Sequence, residues 1–328
     1  MAAVEAQVKE FRQNFEKMRD EIGKVIVGQR DIVEGVLVAV MSGGHVLLEG
    51  LPGLGKTQLI KTISEILDLK FSRIQCTPDL MPADILGTTI LAEDDKGRRT
   101  FEFQRGPIFG NIVLTDEVNR ATPKTQSALL QAMQEGAVTV GNTTYALSQP
   151  FFVLATQNPI ELEGTYPLPE AQLDRFMMKL LVPPSDLDSL VTILERTTAG
   201  IGAKPSKTMN SEQVLAARAL VANVPAAPAV LKYVARLVLA THPDQKSAPA
   251  AVRSYVKYGS SPRGAQAIVL AAKVYALAQE RYHVAIEDVQ RAARPALRHR
   301  LILNFEGEAA GIKTDAILDD VLKSLQES

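Results

Sequence analysis

The sequence has no tryptophan, one cysteine and only 5% aromatic residues among its 328 positions. A single cysteine, Cys76, cannot build a disulfide framework, which fits a protein of the reducing cytosol. No histidine or metal-ligand spacing accompanies Cys76, so we expect a structural thiol rather than a catalytic one. The shortage of cysteine thus excludes the small disulfide-stabilised secreted proteins.

An excess of charge of either sign is also missing. The 36 Lys and Arg residues nearly balance the 37 Asp and Glu residues, and the formal net charge is −1. Such a chain has no overall field to gather nucleic acid or anionic lipid, so a contact of that kind would need a local basic patch. We therefore expect no nucleic-acid partner.

Long hydrophobic runs are absent as well. The longest is interrupted by Ser42-Gly43-Gly44-His45 and falls short of the length that spans a bilayer. The first residues predict an amphipathic helix rather than a signal peptide, because apolar side chains recur on one helical face, at Val4, Val8, Phe11, Phe15 and Met18. We therefore expect a soluble, cytoplasmic protein without a membrane segment.

The sequence does have enough apolar material for a large core, with 46% hydrophobic residues, and its length predicts two domains. Up to the predicted hinge at Pro183-Pro184, apolar strands alternate with helical patterns, which predicts an α/β domain with a parallel sheet over residues 1–183. Residues 184–328 show helical spacing punctuated by prolines, which predicts a small helical domain without strands.

The segment from Gly50 to Thr57 has the pattern of a P-loop. Gly50 and Gly55 are separated by four residues and followed by Lys56 and Thr57. Glycines let backbone N–H groups approach phosphate oxygens, the lysine reaches the β and γ phosphates, and the hydroxyl binds Mg²⁺. An apolar strand at Val46-Leu47-Leu48 precedes it and a helical pattern follows, so we predict a nucleoside triphosphate site.

Two further strands end in polar residues that suit this site. The apolar run from Ile112 ends in Asp116 and Glu117, and we expect Asp116 to hold Mg²⁺ and Glu117 to polarise the attacking water. Arg120 either joins this group or anchors the next helix, and we favour the anchor. A strand from Phe151 ends at Asn158, which either orients the water or simply makes a turn before proline.

Two β-hairpins are predicted as insertions. One joins residues 88–92 and 99–103 around Asp94-Asp95-Lys96-Gly97, and the other joins residues 137–140 and 143–147 around Gly141-Asn142. Each is either decoration or a contact element for a substrate or partner. Near the end of the chain, Ser261-Pro262-Arg263 predicts a helix start. A cation there opposes the helix dipole, so Arg263 is either functional or an ordinary surface arginine.

Taken together, separated motifs make the sequence resemble the MoxR family of AAA+ ATPases over nearly its whole length. They are Val27-Gly28-Gln29, Leu48-Glu49-Gly50 through Lys56-Thr57, Gly106-Pro107-Ile108-Phe109, Asp116-Glu117-Val118-Asn119-Arg120, Ala155-Thr156-Gln157-Asn158-Pro159, Leu168 through Phe176, Ser261-Pro262-Arg263 and Arg298-His299-Arg300. The resemblance implies an αβα nucleotide-binding domain with a helical lid, assembled into a ring, taken as a hexamer, with ATP between neighbours.

The resemblance also implies roles for individual residues. Asn158 matches the sensor 1 position, Arg263 the sensor 2 position on the lid, and Arg175 the arginine finger that completes the next subunit's site. Hence Arg263 from the lid and Arg175 from the neighbour are expected on one phosphate. Gly264 departs from the family pattern, in which alanine is common. The implied nucleotide contacts are Val27, Gly28, Gln29, Gly50, Pro52, Gly53, Leu54, Gly55, Lys56, Thr57, Gln58 and Asp116.

The function implied by the resemblance is that of a Mg²⁺-dependent ATPase, binding ATP and ADP, that remodels protein clients in the manner of a chaperone. MoxR-like proteins typically act with partners that contain a von Willebrand factor A domain, whose metal site they help to load or mature. A magnesium chelatase-like subunit and a nucleic-acid motor are the alternatives. The balanced charge speaks against the motor.

Overall fold

The computed structural model describes residues 2–51, 53–93, 99–159, 164–198 and 204–325. Pro52 of the predicted P-loop and the predicted turn Asp94-Asp95-Lys96-Gly97 lie outside the described residues. In chain order, the first part contains α1 (Ala2–Val25), α2 (Arg30–Ser42), β1 (Val46–Glu49), α3 (Lys56–Ile66), β2 (Phe71–Gln75), α4 (Pro82–Leu86), β3 (Gly87–Glu93), β4 (Arg99–Arg105), β5 (Ile112–Asp116), α5 (Pro123–Glu135), β6 (Ala137–Val140), β7 (Thr143–Ala146), β8 (Phe152–Gln157), α6 (Glu170–Leu173) and β9 (Met178–Leu181).

Five of these strands form the predicted parallel sheet. Their order is β2-β5-β8-β1-β9, and every pair runs parallel. The middle strands are buried on both faces, as parallel sheets require. Successive residues of β1 belong to different apolar clusters, Leu47 on one face and Leu48 on the other. The sheet is thus covered on both sides, which confirms the αβα arrangement.

The two predicted hairpins are present and pack together. β3 and β4 pair antiparallel from Gly87 and Arg105 outward, and β6 and β7 pair across the two-residue turn Gly141-Asn142. The rings of Phe103 and Tyr145 stack at 4.3 Å between centroids, which joins one hairpin to the other. The two hairpins are therefore connected through this pair of stacked rings.

The second part is the predicted helical lid. Its elements are α7 (Leu187–Thr198), α8 (Ser211–Asn223), α9 (Pro228–Leu239), α10 (Ala250–Tyr255), β10 (Val256–Tyr258), α11 (Pro262–Ala278), α12 (Ile286–Leu297), β11 (Ile302–Leu303), α13 (Phe305–Ala309) and α14 (Thr314–Ser324). The expectation of no strand was wrong in one place, because β10 and β11 pair antiparallel. Strands of three and two residues are too short to show an alternating pattern. The boundary at residue 183 stays a prediction.

The lid packs against the first two helices of the chain rather than standing apart. Phe15 of α1, Val36 of α2 and Ala271 of α11 belong to one buried apolar cluster. This cluster also contains Leu48 of the sheet. A continuous core thus connects the lid helices with one face of the sheet.

No single helix in the described ranges is long and apolar enough to cross a membrane. One bent pair, α8 with α9, passes that test together by length and composition, with an angle of 92° between the two helices.

Candidate functional site

The P-loop connects β1 to α3 at the carboxyl end of the sheet, the edge where the parallel strands finish. Gly53 and Gly55 have φ of 82° and 76°, a left-handed backbone that side chains rarely tolerate. Among the described residues, no atom outside the adjoining residues lies within 4 Å of the position of a Cβ at either glycine, so the loop is open on that side. Backbone conformation and the α3 N-terminus together suit a bound phosphate.

Lys56 points back into the loop and shares its electrostatics with the predicted acid pair. Its Nζ donates a hydrogen bond to the carbonyl of Gly50. Burial lowers the pKa of Lys56, and the nearby carboxylates of Asp116 and Glu117, with Glu49, partly oppose that change. The structure therefore brings the lysine and both acids to one place, as their spacing predicts.

The Val27-Gly28-Gln29 segment contacts the P-loop directly. Gln29 Nε2 donates to Leu54 O at 3.1 Å, and both Gly28 and Gln29 have left-handed backbone, with φ of 69° and 51°. A Cβ on Gly28 would come within 2.7 Å of Ser189 Oγ on α7. The segment is thus held between the P-loop and the first helix beyond the sheet, where the resemblance expects a nucleotide contact.

Asp116 ends β5 and is held by two side chains. Its Oδ1 accepts from Thr156 Oγ1 at 2.6 Å, and its Oδ2 accepts from Arg73 Nη2 at 2.7 Å. Sequence reasoning missed both partners, because they come from the neighbouring strands β2 and β8. In the sheet register Gln75 lies opposite Asp116, and a polar residue at the end of β2 is the sequence signal that could have linked this strand to the site.

Glu117 follows in a left-handed conformation, with φ of 55°. A non-glycine residue in that region costs free energy and marks a place where structure imposes a geometry. Its N–H donates to Thr156 Oγ1 at 2.9 Å, and its Oε2 accepts from Gln75 Nε2 at 3.2 Å and from Arg120 Nη1 at 3.1 Å. Arg120 therefore contacts the acid, which favours the reading in which it joins this group.

Asn158 lies between the P-loop and the acid pair. It directly follows β8, the strand between β1 and β5, and it is 7% exposed. The backbone link Gly50 N–H to Gln157 O, 3.4 Å long, ties the P-loop to the same strand end. This placement suits a group that orients water beside a phosphate, and the role itself stays a prediction.

Cys76 is close to these acids and is buried. It is 1% exposed, and burial, aided by the charges of Asp116 and Glu117, raises the pKa of its thiol to about 12. A thiol that stays protonated at neutral pH is a poor nucleophile. The structure thus agrees with the expectation of a structural cysteine.

Arg175 lies at the other edge of the sheet, the amino end, where the strands begin. It precedes β9, and Met177 N–H donates to His45 O at 2.8 Å, just before β1. The four residues of β1, about 13 Å at about 3.3 Å per residue, separate this edge from the P-loop. Within the described ranges, Arg175 Nε is buried and has no hydrogen-bond partner.

Arg263 shares the amino end with Arg175. It stands in the first turn of α11, which Ser261 caps, and its Nη1 lies 3.7 Å from Asp174 Oδ2. This differs from the expectation that Arg263 would face the nucleotide of its own chain. The reason is that α11 packs on α1 and α2 and its N-terminus is bound to Asp174, so it does not cover the P-loop.

Comparison with known proteins finds two family models, several relatives and a solved structure that are similar to this chain. The family model described as "ATPase family associated with various cellular activities (AAA)" matches residues 45–178, and the AAA lid domain model matches residues 248–321. Chaperone MoxR1 of Mycobacterium tuberculosis is 41% identical, over 93% of this chain and 80% of that protein. Protein MoxR of Methylorubrum extorquens is 30% identical, over 95% of each. A crystal structure of a Cytophaga hutchinsonii protein assigned as an ATPase is 43% identical, with a TM-score of 0.92 over 98% of this chain and 97% of that one.

Proposed function

The chain belongs to the MoxR family of AAA+ ATPases, and we propose that it is a Mg²⁺-dependent ATPase that works as a ring of identical subunits and remodels client proteins. One observation carries this proposal. The groups suited to hold and attack a triphosphate lie at the carboxyl end of the sheet, whereas Arg175 and Arg263 lie together at the amino end. Arginines at that edge can complete a phosphate site only on another subunit.

The residues at the carboxyl end fit ATP and Mg²⁺. The glycine conformations leave the loop open to phosphate. Lys56 Nζ, which now donates to the carbonyl of Gly50, can donate to phosphate oxygens instead. Thr57 and Asp116 supply a hydroxyl and a carboxylate, which are the hard oxygen ligands that Mg²⁺ takes. When bound, Mg²⁺ would neutralise charge on the β and γ phosphates. A test is Lys56→Ala, which should abolish ATP binding in calorimetry; tight ATP retention would contradict the assignment.

Glu117 is the proposed base, and Asn158 is proposed to orient the attacking water. A carboxylate in this role contributes roughly 10² to 10⁴ in rate. Glu117 now accepts hydrogen bonds from Gln75 and Arg120, so those contacts must loosen before the carboxylate can act on water. We infer that phosphate binding and loosening of these contacts occur together.

Arg175 and Arg263 of the neighbouring subunit are proposed to stabilise the charge that develops on the γ phosphate. An arginine supplied in this way is worth about 10³ to 10⁵ in rate. Both arginines would contact the phosphate only while it is present. Hydrolysis would therefore release the lid and the subunit interface together, and chemistry would drive a change of shape.

We propose that the clients are proteins and that the partner contains a von Willebrand factor A domain. The proposed assembly is a hexameric ring, and the proposed location is the cytoplasm. The M. tuberculosis relative is named a chaperone, and the first hairpin exposes the apolar pair Leu91 and Phe101, 55% and 80% exposed, which face each other across its strands. A Glu117→Gln chain held in ATP should retain its client, and proteins that co-purify can be identified by mass spectrometry. Recovery of nucleic acid alone would contradict a protein client.

Mixing two inactive variants tests the shared site. The Arg175→Ala chain keeps the residues that bind and attack the phosphate, and the Glu117→Gln chain keeps its arginines. A mixed assembly therefore contains interfaces at which every catalytic group is present. We expect ATPase activity to reappear on mixing at equal concentration. No recovery, in a sample where native mass spectrometry shows mixed assemblies, would contradict an arginine supplied by the neighbour.

A further inference from the structure

Asp174 connects the two arginines of the amino end. Its carboxylate oxygens accept from Ser261 Oγ at 2.9 and 3.0 Å, and Arg263 Nη1 lies 3.7 Å away. Ser261 Oγ in turn accepts from the N–H of Arg263 at 3.2 Å. The residue just before Arg175 thus holds the first turn of the lid helix that carries Arg263.

Arg300, which has no role in the chemistry described so far, holds Asp174 in place. Its side chain is 3% exposed. Nε donates to Asp174 Oδ1 at 2.8 Å, Nη2 donates to the carbonyls of Asp174 and Phe176 at 3.0 and 2.8 Å, and Nη1 donates to Met177 O at 3.2 Å. One planar guanidinium therefore fixes the backbone on both sides of Arg175.

Gly264 shows how closely the lid is fitted to this arginine. A Cβ at Gly264 would lie 2.1 Å from Ser260 Oγ, 2.8 Å from Leu297 Cδ2 and 3.0 Å from Arg300 Cδ, closer than such atoms normally approach. The departure from alanine at this position thus has a physical reason, because the side chains of Ser260, Leu297 and Arg300 together occupy the space. Three segments meet here: the segment before β9, the start of α11 and the end of α12.

Burying an arginine is costly, and removing a buried pair in favour of apolar residues is often neutral for stability. A lysine would keep the charge but lose the planar fork, which donates in several fixed directions at once. The geometry here uses that fork fully. We propose that Arg300, through Asp174, is a positioning residue that locks Arg175 and Arg263 into one rigid unit, so that both reach the neighbouring subunit's phosphate together. This inference rests on the proposed shared site.

Arg300→Lys and Asp174→Asn test the inference, with Arg281→Lys as the matched control. Arg281 also makes a two-pronged pair, with Asp288 at 2.7 and 2.8 Å, but within the lid. Misplacing a catalytic group by about 1 Å costs about 100-fold, so we expect kcat to fall about 100-fold in both test variants with KM for ATP little changed. Arg281→Lys should stay within about twofold of the parent.

Mixing separates positioning from a merely structural role. Arg300→Lys should regain activity when mixed with Glu117→Gln, whose arginines are intact, and should gain nothing when mixed with Arg175→Ala, which lacks the same function. Ser261→Ala, at a half-buried cap, serves as a milder variant if Arg300→Lys does not fold, and it should show the same mixing pattern.

The outcomes distinguish this inference from the proposed function. Rescue of Arg175→Ala but not of Arg300→Lys by Glu117→Gln would overturn the positioning role and leave the shared site standing. Full activity of Arg300→Lys and Asp174→Asn would also overturn it. Failure of Arg175→Ala itself to be rescued in mixed assemblies would overturn the shared site, and the inference with it.

Discussion

At the carboxyl end of the sheet the two acids have hydrogen-bond partners within the chain, whereas at the amino end the described residues leave one arginine nitrogen without a partner. Asp116 has Arg73 and Thr156, and Glu117 has Gln75 and Arg120. Within the described residues, Arg175 keeps a buried Nε without a partner, although the backbone around it is firmly held. In the proposed mechanism, the acids of the carboxyl end would exchange their hydrogen-bond partners before they act, whereas Arg175 at the amino end would meet the phosphate of another subunit without losing a partner of its Nε.

In the proposed mechanism, a lone chain can perform only part of the reaction. Binding a triphosphate would require only the carboxyl end, where the P-loop, the acids and Asn158 meet. Stabilising the transition state would require Arg175 and Arg263, which this chain holds about one strand length away. Variants at the two ends should therefore fail in different ways.

The largest effect is expected at the amino end, for Arg175→Ala. Loss of an arginine that stabilises the transferring phosphate should lower kcat by about 10³ to 10⁵, while ATP still binds. Steady-state hydrolysis and calorimetry on the same preparation measure both quantities. The control is Arg236→Ala, which changes an exposed lid arginine on α9 and should keep full activity. Loss of ATP binding in Arg175→Ala would contradict the account in which only the carboxyl end binds ATP.

At the carboxyl end, Glu117→Gln should lower kcat by roughly 10² to 10⁴ and keep ATP bound. The amide preserves the shape of the side chain but cannot take a proton from water. Single-turnover hydrolysis of radiolabelled ATP measures the chemical step directly. Undiminished turnover would remove Glu117 as the base.

Acid should lower the stability of the folded chain through His45, which lies half-buried at the amino end of the sheet. His45 Nδ1 accepts from Val153 N–H at 3.1 Å, and Nε2 lies 3.1 Å from Met133 O, an arrangement for the neutral ring. Burial, with a smaller effect of Arg218, lowers its pKa to about 4. Below pH ~6.5 the unfolded chain therefore binds a proton that the folded chain excludes, and the free energy of unfolding should fall by up to about 3 kcal/mol by pH ~4.

Chemical denaturation at a series of pH values measures this slope. His45→Gln should reduce the slope, whereas His283→Gln at an exposed position should leave it unchanged. Some slope should remain in His45→Gln, because burial also lowers the pKa of His299, which contacts Phe176 O at the same end. Identical slopes for the parent and both variants would contradict the assignment.

The smallest effect is expected for Arg73→Gln. Arg73 is about half exposed, and such a pair is worth at most about 1 kcal/mol. Without it Asp116 loses a competing cation, so the Mg²⁺ concentration for half-maximal activity should fall up to about fivefold. A Mg²⁺ titration of ATPase activity checks this. Arg99→Gln, which removes a hairpin arginine paired with Glu93, should leave the Mg²⁺ requirement unchanged, and an unaltered titration for Arg73→Gln would refute the competition.

Much of the fold could be read from the sequence because its signals are local. The strand predicted at Val46-Leu47-Leu48 is present as Val46–Glu49, and the turn Gly141-Asn142 marked the second hairpin. β10 and β11 were missed, because strands of three and two residues carry no periodicity. A pairing that depends on tertiary contact leaves no local pattern.

The candidate site divides in the same way. The P-loop, Asp116, Glu117 and Asn158 follow strands, so parallel sheet geometry alone brings them together. Arg73 was not singled out, because its contact depends on strand order, and Arg300 was named within a motif but given no role, because its contacts depend on how the lid packs. The place of Arg263 was expected at the wrong end for that reason: the contact between Ser261 and Asp174 joins residues far apart in sequence.

The most direct test of the shared site is the ATPase rate per chain as a function of protein concentration, with the mass in solution measured at each point by light scattering. If neighbouring subunits complete each site, the rate per chain should fall steeply on dilution as the assemblies separate. A fully active protein at concentrations where only single chains are present would contradict the account.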